Sequence, residues 1–198
     1  MPTKSEKTTE FIIRKVAPIF NKHGYSGTSL SDLTKATGLT KGAIYGNFKS
    51  KEDLAIIAFQ FNIQNVVDQI KVKLSESQSP IGKLGKLTDF YRGYSSYTMA
   101  NGGCPLVNLG VDANHDNMIL LAKVRQTISR LQNGIKKMIT AGIEQGEIKP
   151  TVDADKFSRY FFTMIEGAVF LMTTMDDDTF LIETMDRIDE IVAKELAI

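Results

Sequence analysis

Apolar residues along this 198-residue chain recur almost everywhere at the three- and four-residue spacings of helices. The clearest case is a stretch from about 117 to 145, where Leu121, Val124, Ile128, Leu131, Ile135 and Met138 follow one another at spacings of 3, 4, 3, 4 and 3. Such a stripe faces a core. Near the start, Ile13, Val16, Ala17 and Phe20 share one helical face, which His23-Gly24 brings to an end. Pro18 falls inside that helix and predicts a distorted turn or a kink. Two short helical pieces follow, one over 29–37 and one from 40 or 41 to about 47, with Gly38 as the stop between them. Thr28 or Ser29, and then Thr40, suit the N-caps. Ser50-Lys51-Glu52-Asp53 opens a longer helix from 51 to about 75, with two acids in its first turn against the helix dipole.

After the break at Ser77 to Pro80, one helix is expected over about 81–98, ended by Asn101-Gly102-Gly103. A short helix follows Pro105, and two last ones run over about 153–175 and 178–197. Four of the five prolines stand at element edges, so the expected fold is all-α, with about nine helices. The last two helices carry the stripes Phe157, Phe161, Met164, Ala168, Leu171, Met175 and Leu181, Met185, Ile188, Val192. Tyr160, Phe162, Ile165, Phe170, Ile182 and Ile191 make both apolar on a second side. A helix with two apolar sides needs two partners, which predicts a subunit interface there.

Charge divides the chain unevenly. Residues 1–53 hold nine Lys/Arg against five Asp/Glu, and residues 54–198 hold fifteen against eighteen. A basic head on an acidic body excludes a uniformly basic nucleic-acid coat and directs attention to the head. The single cysteine, the start without an apolar leader and the absence of a membrane-length apolar run lead to the expectation of a reducing cytoplasm.

Within that head, residues 24–54 have the layout of a helix-turn-helix: a support helix, a glycine-containing turn and a short second helix. In such a unit the start of the second helix meets base edges in the major groove. Thr40, Lys41, Gly42 and Ala43 are short or polar enough for that approach. Lys41 offers a charged donor and Ala43 a methyl contact. Tyr45 and Lys51 suit phosphate oxygens, and Asn47 suits a phosphate or a base. Thr28 and Ser29 can set backbone N–H groups against a phosphate, and Ser31 is a further candidate for DNA contact. Leu30, Leu33, Ile44 and Phe48 are expected to pack the unit's own core.

The segment resembles the tetracycline-repressor (TetR) family of bacterial transcription regulators. The matching residues are Ala17 to Phe20, Gly24-Tyr25, Thr28-Ser29, Asp32-Leu33, Ala36, Gly38-Leu39-Thr40-Lys41-Gly42, Ile44-Tyr45, Phe48 and Ser50-Lys51-Glu52 with Leu54. The resemblance implies a three-helix DNA-binding head over 1–50 and a larger helical ligand-binding and dimerisation body over 51–198. It further implies a cytoplasmic homodimer joined through the last two helices, and a ligand-responsive regulator, most simply a repressor, that leaves a palindromic operator when a small molecule binds. No cofactor, metal, membrane or catalytic role is implied. Gly46-Asn47 departs from the family, which often has a bulky or cationic residue followed by His.

Other residues admit two readings. Cys104, between Gly103 and Pro105, is either a redox or electrophile sensor near a helix N-terminus or a small buried apolar residue. Phe90, Tyr91, Tyr94, Tyr97, Met138, Phe157, Phe161, Met164 and Phe170, together with Cys104, are candidates for an effector cavity; the same spacing suits plain core. His115 among Asp112, Asn114 and Asp116 falls short of a closed metal site and suits a solvated loop or cap. Two rivals remain: a thiol-dependent helical enzyme using Cys104 and His115, and a helical ligand carrier with an inert head.

Overall fold

The computed structural model describes residues 3–198, and the side chains of all of these except Lys4, Asn114, His115 and Asp116. The reading of His115 as a metal ligand or catalytic partner therefore lies outside the described residues. The described chain is all-α, with ten α-helices and a closing π-helical turn. It divides into two compact units, the first comprising residues up to Val66 together with Met99–Arg125, the second Val67–Thr98 together with Gln126–Ile198.

In the first unit, α1 (Lys4–His23) starts at a capping box in which Glu6 N–H donates to Thr3 Oγ1 and Thr3 N–H to the Glu6 carboxylate. Those bonds hold the Glu6 carboxyl below its ordinary pKa. The helix runs through Pro18 to Gly24, where φ is +70°. Next come α2 (Leu30–Thr37), α3 (Lys41–Tyr45) and the first half of α4 (Lys51–Leu74). Ile12, Val16, Leu33, Ile44, Leu54 and Ala58 are fully buried, and the buried Asn62 of α4 donates to the Ala17 carbonyl at 2.9 Å. α7 (Pro105–Asp116) also belongs to this unit. Its leading turn approaches α1 so closely that a Cβ on Gly102 would come within 2.9 Å of Lys22.

The second unit holds the end of α4, then α5 (Pro80–Arg92), most of α6 (Tyr94–Asn101) and of α8 (Met118–Glu144), and all of α9 (Ala154–Met175) and α10 (Thr179–Ile191). The single helix expected over 81–98 is two, because the Gly93 N–H turns back to the Phe90 and Tyr91 carbonyls and ends α5. α10 packs on both α5 and α9. Arg92 reaches Asp186 at 2.8 Å and also Asp189, which accepts the Thr88 hydroxyl at 2.7 Å. α10 also stops earlier than its apolar pattern predicts. Val192–Leu196 form the π-helical turn, and Lys149 N–H takes the Leu196 carbonyl at 2.9 Å. Asp176 ends α9 at φ +53°, and Asp177 accepts the Thr179 amide, so the acidic run Asp176-Asp177-Asp178 is a turn between helices.

Candidate nucleic-acid interface

Local cap chemistry builds the helix-turn-helix. Ser29 Oγ accepts from Asp32 N–H, and Asp32 accepts Ser29 N–H at 2.8 Å, a reciprocal cap that holds the Asp32 carboxyl below its usual range. Gly38 sits at φ +67° and ψ +12° with open space where a Cβ would be, so it is the left-handed conformation that calls for glycine. Thr40 then caps α3, its Oγ1 accepting Ala43 N–H at 3.2 Å. Ile44 points inward with Leu33 and Phe48, all three buried. That leaves Thr40, Lys41, Gly42 and Ala43 together in an exposed strip at the start of α3.

The remaining candidates differ in placement. Ser29 and Ser31 are exposed at the start of α2, whereas Thr28 is buried with its hydroxyl donating to the Gly24 carbonyl at 2.6 Å. Tyr45 and Lys51 are half-buried, and the Lys51 ammonium stands 4.5 Å from the centre of the Tyr25 ring. Burial pulls the Lys51 pKa down while the Asp112 charge opposes that pull. Asn47 is turned onto its own unit: it donates to the Ala43 carbonyl at 2.9 Å and accepts the Thr9 hydroxyl at 3.1 Å.

Of the residues considered for an effector cavity, Phe90, Tyr91, Tyr94 and Tyr97 form one aromatic cluster with ring centres 5.2–5.6 Å apart. Phe157 and Phe161 meet at 5.9 Å. Tyr91, Tyr94 and Phe161 are buried, Phe90, Tyr97, Met138, Phe157 and Met164 are half-buried, and Phe170 is exposed. Phe90 also borders an open hollow of about 440 Å³ with Asp68, Gln69, Val72, Lys73 and Glu76. Cys104 belongs to the other unit, buried at the N-cap of α7.

Two residues outside the sequence candidates, Asp112 and Glu166, hold notable positions in the structure. In the sequence Asp112 stands out only as a neighbour of His115, and its partners lie about ninety positions away, which no local pattern signals. Glu166 did leave a signal as the one charge within residues 160–175. Burial pushes its carboxyl from 4.5 up to about 7. The unfolded chain ionises near the lower value, so this group weakens stability as pH rises from about 4.5 to 7, and the loss levels off above that. Glu166→Gln is therefore expected to stabilise the protein by ~1–3 kcal/mol at pH 8 and by almost nothing near pH 4.5. Thermal melts at the two pH values check this; an equal gain at both contradicts it.

A capped support helix, a left-handed glycine turn and an exposed second helix define a helix-turn-helix DNA-binding protein of all-α construction. The family model described as "Tetracyclin repressor-like, C-terminal domain" matches residues 80–188, and that of "Bacterial regulatory proteins, tetR family" matches residues 12–56. A TetR-family transcriptional regulator from Cytophaga hutchinsonii superposes with a TM-score of 0.94 at 31% identity, covering 100% of this chain and 98% of the other. A TetR regulator from Chloroflexus aurantiacus J-10-FL gives 0.92 at 32%, covering 98% of each. Among curated relatives, the HTH-type transcriptional repressor DhaR of Mycobacterium sp. (strain GP1) is 22% identical over 163 residues, 82% of this chain and 81% of the relative. The chain belongs to the TetR family. It is a ligand-responsive DNA-binding transcriptional regulator and not an enzyme. Among the described residues no helix is long and apolar enough to cross a membrane.

Proposed function

We propose that the protein is a cytoplasmic homodimeric repressor of a palindromic operator, released by a small-molecule effector. Residues 1–50 bind DNA and residues 51–198 bind effector and dimerise. The observation that carries the DNA half is the exposed strip Thr40–Ala43, set at a helix start by the Gly38 turn and the Thr40 cap. Lys41 reads a base edge, Gly42 and Ala43 permit close approach, and Tyr45, Lys51, Ser29, Ser31 and the amides at Thr28 hold phosphates. Asn47 serves the same surface by bracing α3.

An apolar outer face on the last two helices supports dimerisation through them. Tyr160, Phe170, Leu171 and Met175 of α9 are 52%, 48%, 41% and 60% exposed, and Ile182 of α10 is 40% exposed. Gly167 on the same face has open space above it, which suits a close helix crossing. Two such heads enter successive major grooves ~34–36 Å apart. An effector at the aromatic cluster of α5 and α6 favours another separation, with α4, which continues from one unit into the other, as the lever. A coupling of ~1–3 kcal/mol suffices for release.

The test is a pair of substitutions measured by fluorescence anisotropy across a salt series. Lys41→Ala is expected to cost ~1–3 kcal/mol of operator binding and to relax base preference at one position, and Lys51→Ala to weaken all sequences alike. Identical sequence profiles for the parent and Lys41→Ala would remove Lys41 from base readout.

A further inference from the structure

We propose that Asp112, on α7 and outside the helix-turn-helix segment, is a positioning residue for DNA binding: it holds the α1–α2 turn so that the Tyr25 ring supports Lys51 at a phosphate. This rests on the reading above that Lys51 touches DNA. One carboxylate oxygen of Asp112 accepts two consecutive backbone amides, Tyr25 N–H at 2.6 Å and Ser26 N–H at 3.2 Å. The approach depends on Gly24, where a Cβ would stand 2.9 Å from the Asp112 carboxyl carbon. The turn so fixed presents the Tyr25 ring 4.5 Å from the Lys51 ammonium. Charge-assisted bonds of this kind are stronger than neutral ones and give the turn one orientation.

Both ends of α7 are anchored in the same unit. At its leading end, Asn21 Nδ2 donates to the Asn101 and Gly103 carbonyls at 2.6 and 2.8 Å. In return Asn108 Nδ2 donates to the Asn21 carbonyl at 2.7 Å. Just past its trailing end, Asn117 Nδ2 donates to Glu52 Oε1 at 2.7 Å, beside Lys51, while its Oδ1 caps α8 through Leu120 N–H at 2.9 Å. The turn before α2 and the first turn of α4 flank the DNA-facing strip, and α7 with its following cap grips both.

The sign of the effect separates positioning from charge. Removing an acid from a DNA-binding unit by itself strengthens attraction to phosphates. Positioning requires the opposite. With the full-length protein and mixed-sequence duplex DNA as the probe, Asp112→Ala, which leaves the two amides without an acceptor, is expected to weaken binding by about three- to tenfold. It should also lower the slope of log K against log salt by about 0.9, as Lys51→Ala does. Once Lys51→Ala is present, adding Asp112→Ala should cost little more, because both remove the same phosphate contact. Binding as tight as the parent's, or a weaker binding that keeps the full salt slope and adds to Lys51→Ala, overturns the assignment. Unchanged affinity and slope in Lys51→Ala would instead remove the underlying contact. Should Asp112→Ala fail to fold, Tyr25→Leu keeps the backbone donors and removes only the aromatic ring and its hydroxyl; it should show the same slope loss, and a parental slope overturns the proposal.

Discussion

Ala43→Glu is expected to leave the fold intact and to lower operator affinity by roughly a hundredfold or more, the result of several kcal/mol of like-charge repulsion. Ala43 is exposed, and its N–H donates to Thr40 Oγ1 at 3.2 Å, a backbone bond that a new side chain does not touch. A glutamate there stands three residues after the Thr40 cap and can reach back to the Thr40 amide, completing a capping box in the turn where the helix dipole favours an acid. Stability should hold or rise while binding collapses. Melting curves and anisotropy titrations on the same preparation check both halves. Parental affinity in Ala43→Glu would place the DNA surface elsewhere.

Phe161→Ala is expected to be the costliest single truncation in the second unit. Phe161 is 2% exposed on α9 and meets Phe157 at 5.9 Å. Deleting its ring leaves a void that close-packed neighbours fill only in part, a loss of ~3–5 kcal/mol and a melting point lower by roughly 10 °C. Tyr160, one residue earlier, is 52% exposed on the outer face. Tyr160→Ala should therefore change the concentration dependence of melting and the dimer dissociation constant. Urea unfolding and analytical ultracentrifugation separate the two effects. A Phe161→Ala cost below ~1 kcal/mol would mean that the ring fronts a cavity rather than filling core.

The residues that read clearly from sequence are those whose chemistry is local. Ser29 and Thr40 cap α2 and α3, and Gly24 and Gly38 stop α1 and α2, because a cap needs only a hydroxyl or a missing Cβ within a few positions. The long stripe from Leu121 to Met138 lies within α8 for the same reason. Gly93 was not legible as a break, since one glycine in an apolar stripe is equally compatible with an unbroken helix. Pro18 predicts a distorted turn or a kink, and α1 runs through it to His23. The turn at Val192–Leu196 is joined by a hydrogen bond from Lys149 N–H to the Leu196 carbonyl, between two segments distant in sequence, which no local pattern signals.

The candidate site divides in the same way. The strip Thr40–Ala43 is visible because the turn and the cap that expose it are adjacent in sequence. The inward turn of Asn47 depends on Thr9, thirty-eight positions away, and the grip of Asp112 on Tyr25 spans eighty-seven. Neither pairing leaves a periodic trace. Residues that could meet an effector are harder still, because helical spacing places an aromatic on the inner face whether that face is filled or hollow.

On the proposed function, the surface built by α2, α3 and the start of α4 reads a symmetric operator as a dimer. In-vitro selection of duplex DNA by the purified full-length protein, repeated across a salt series, tests it most directly. The expected result is a palindromic consensus whose half-sites lie one helical turn apart, or further by whole turns, with affinity falling steeply as salt rises. Unpatterned binding that persists after bound small molecules are removed and Cys104 is reduced would contradict it, and would leave the helical body as the carrier of function.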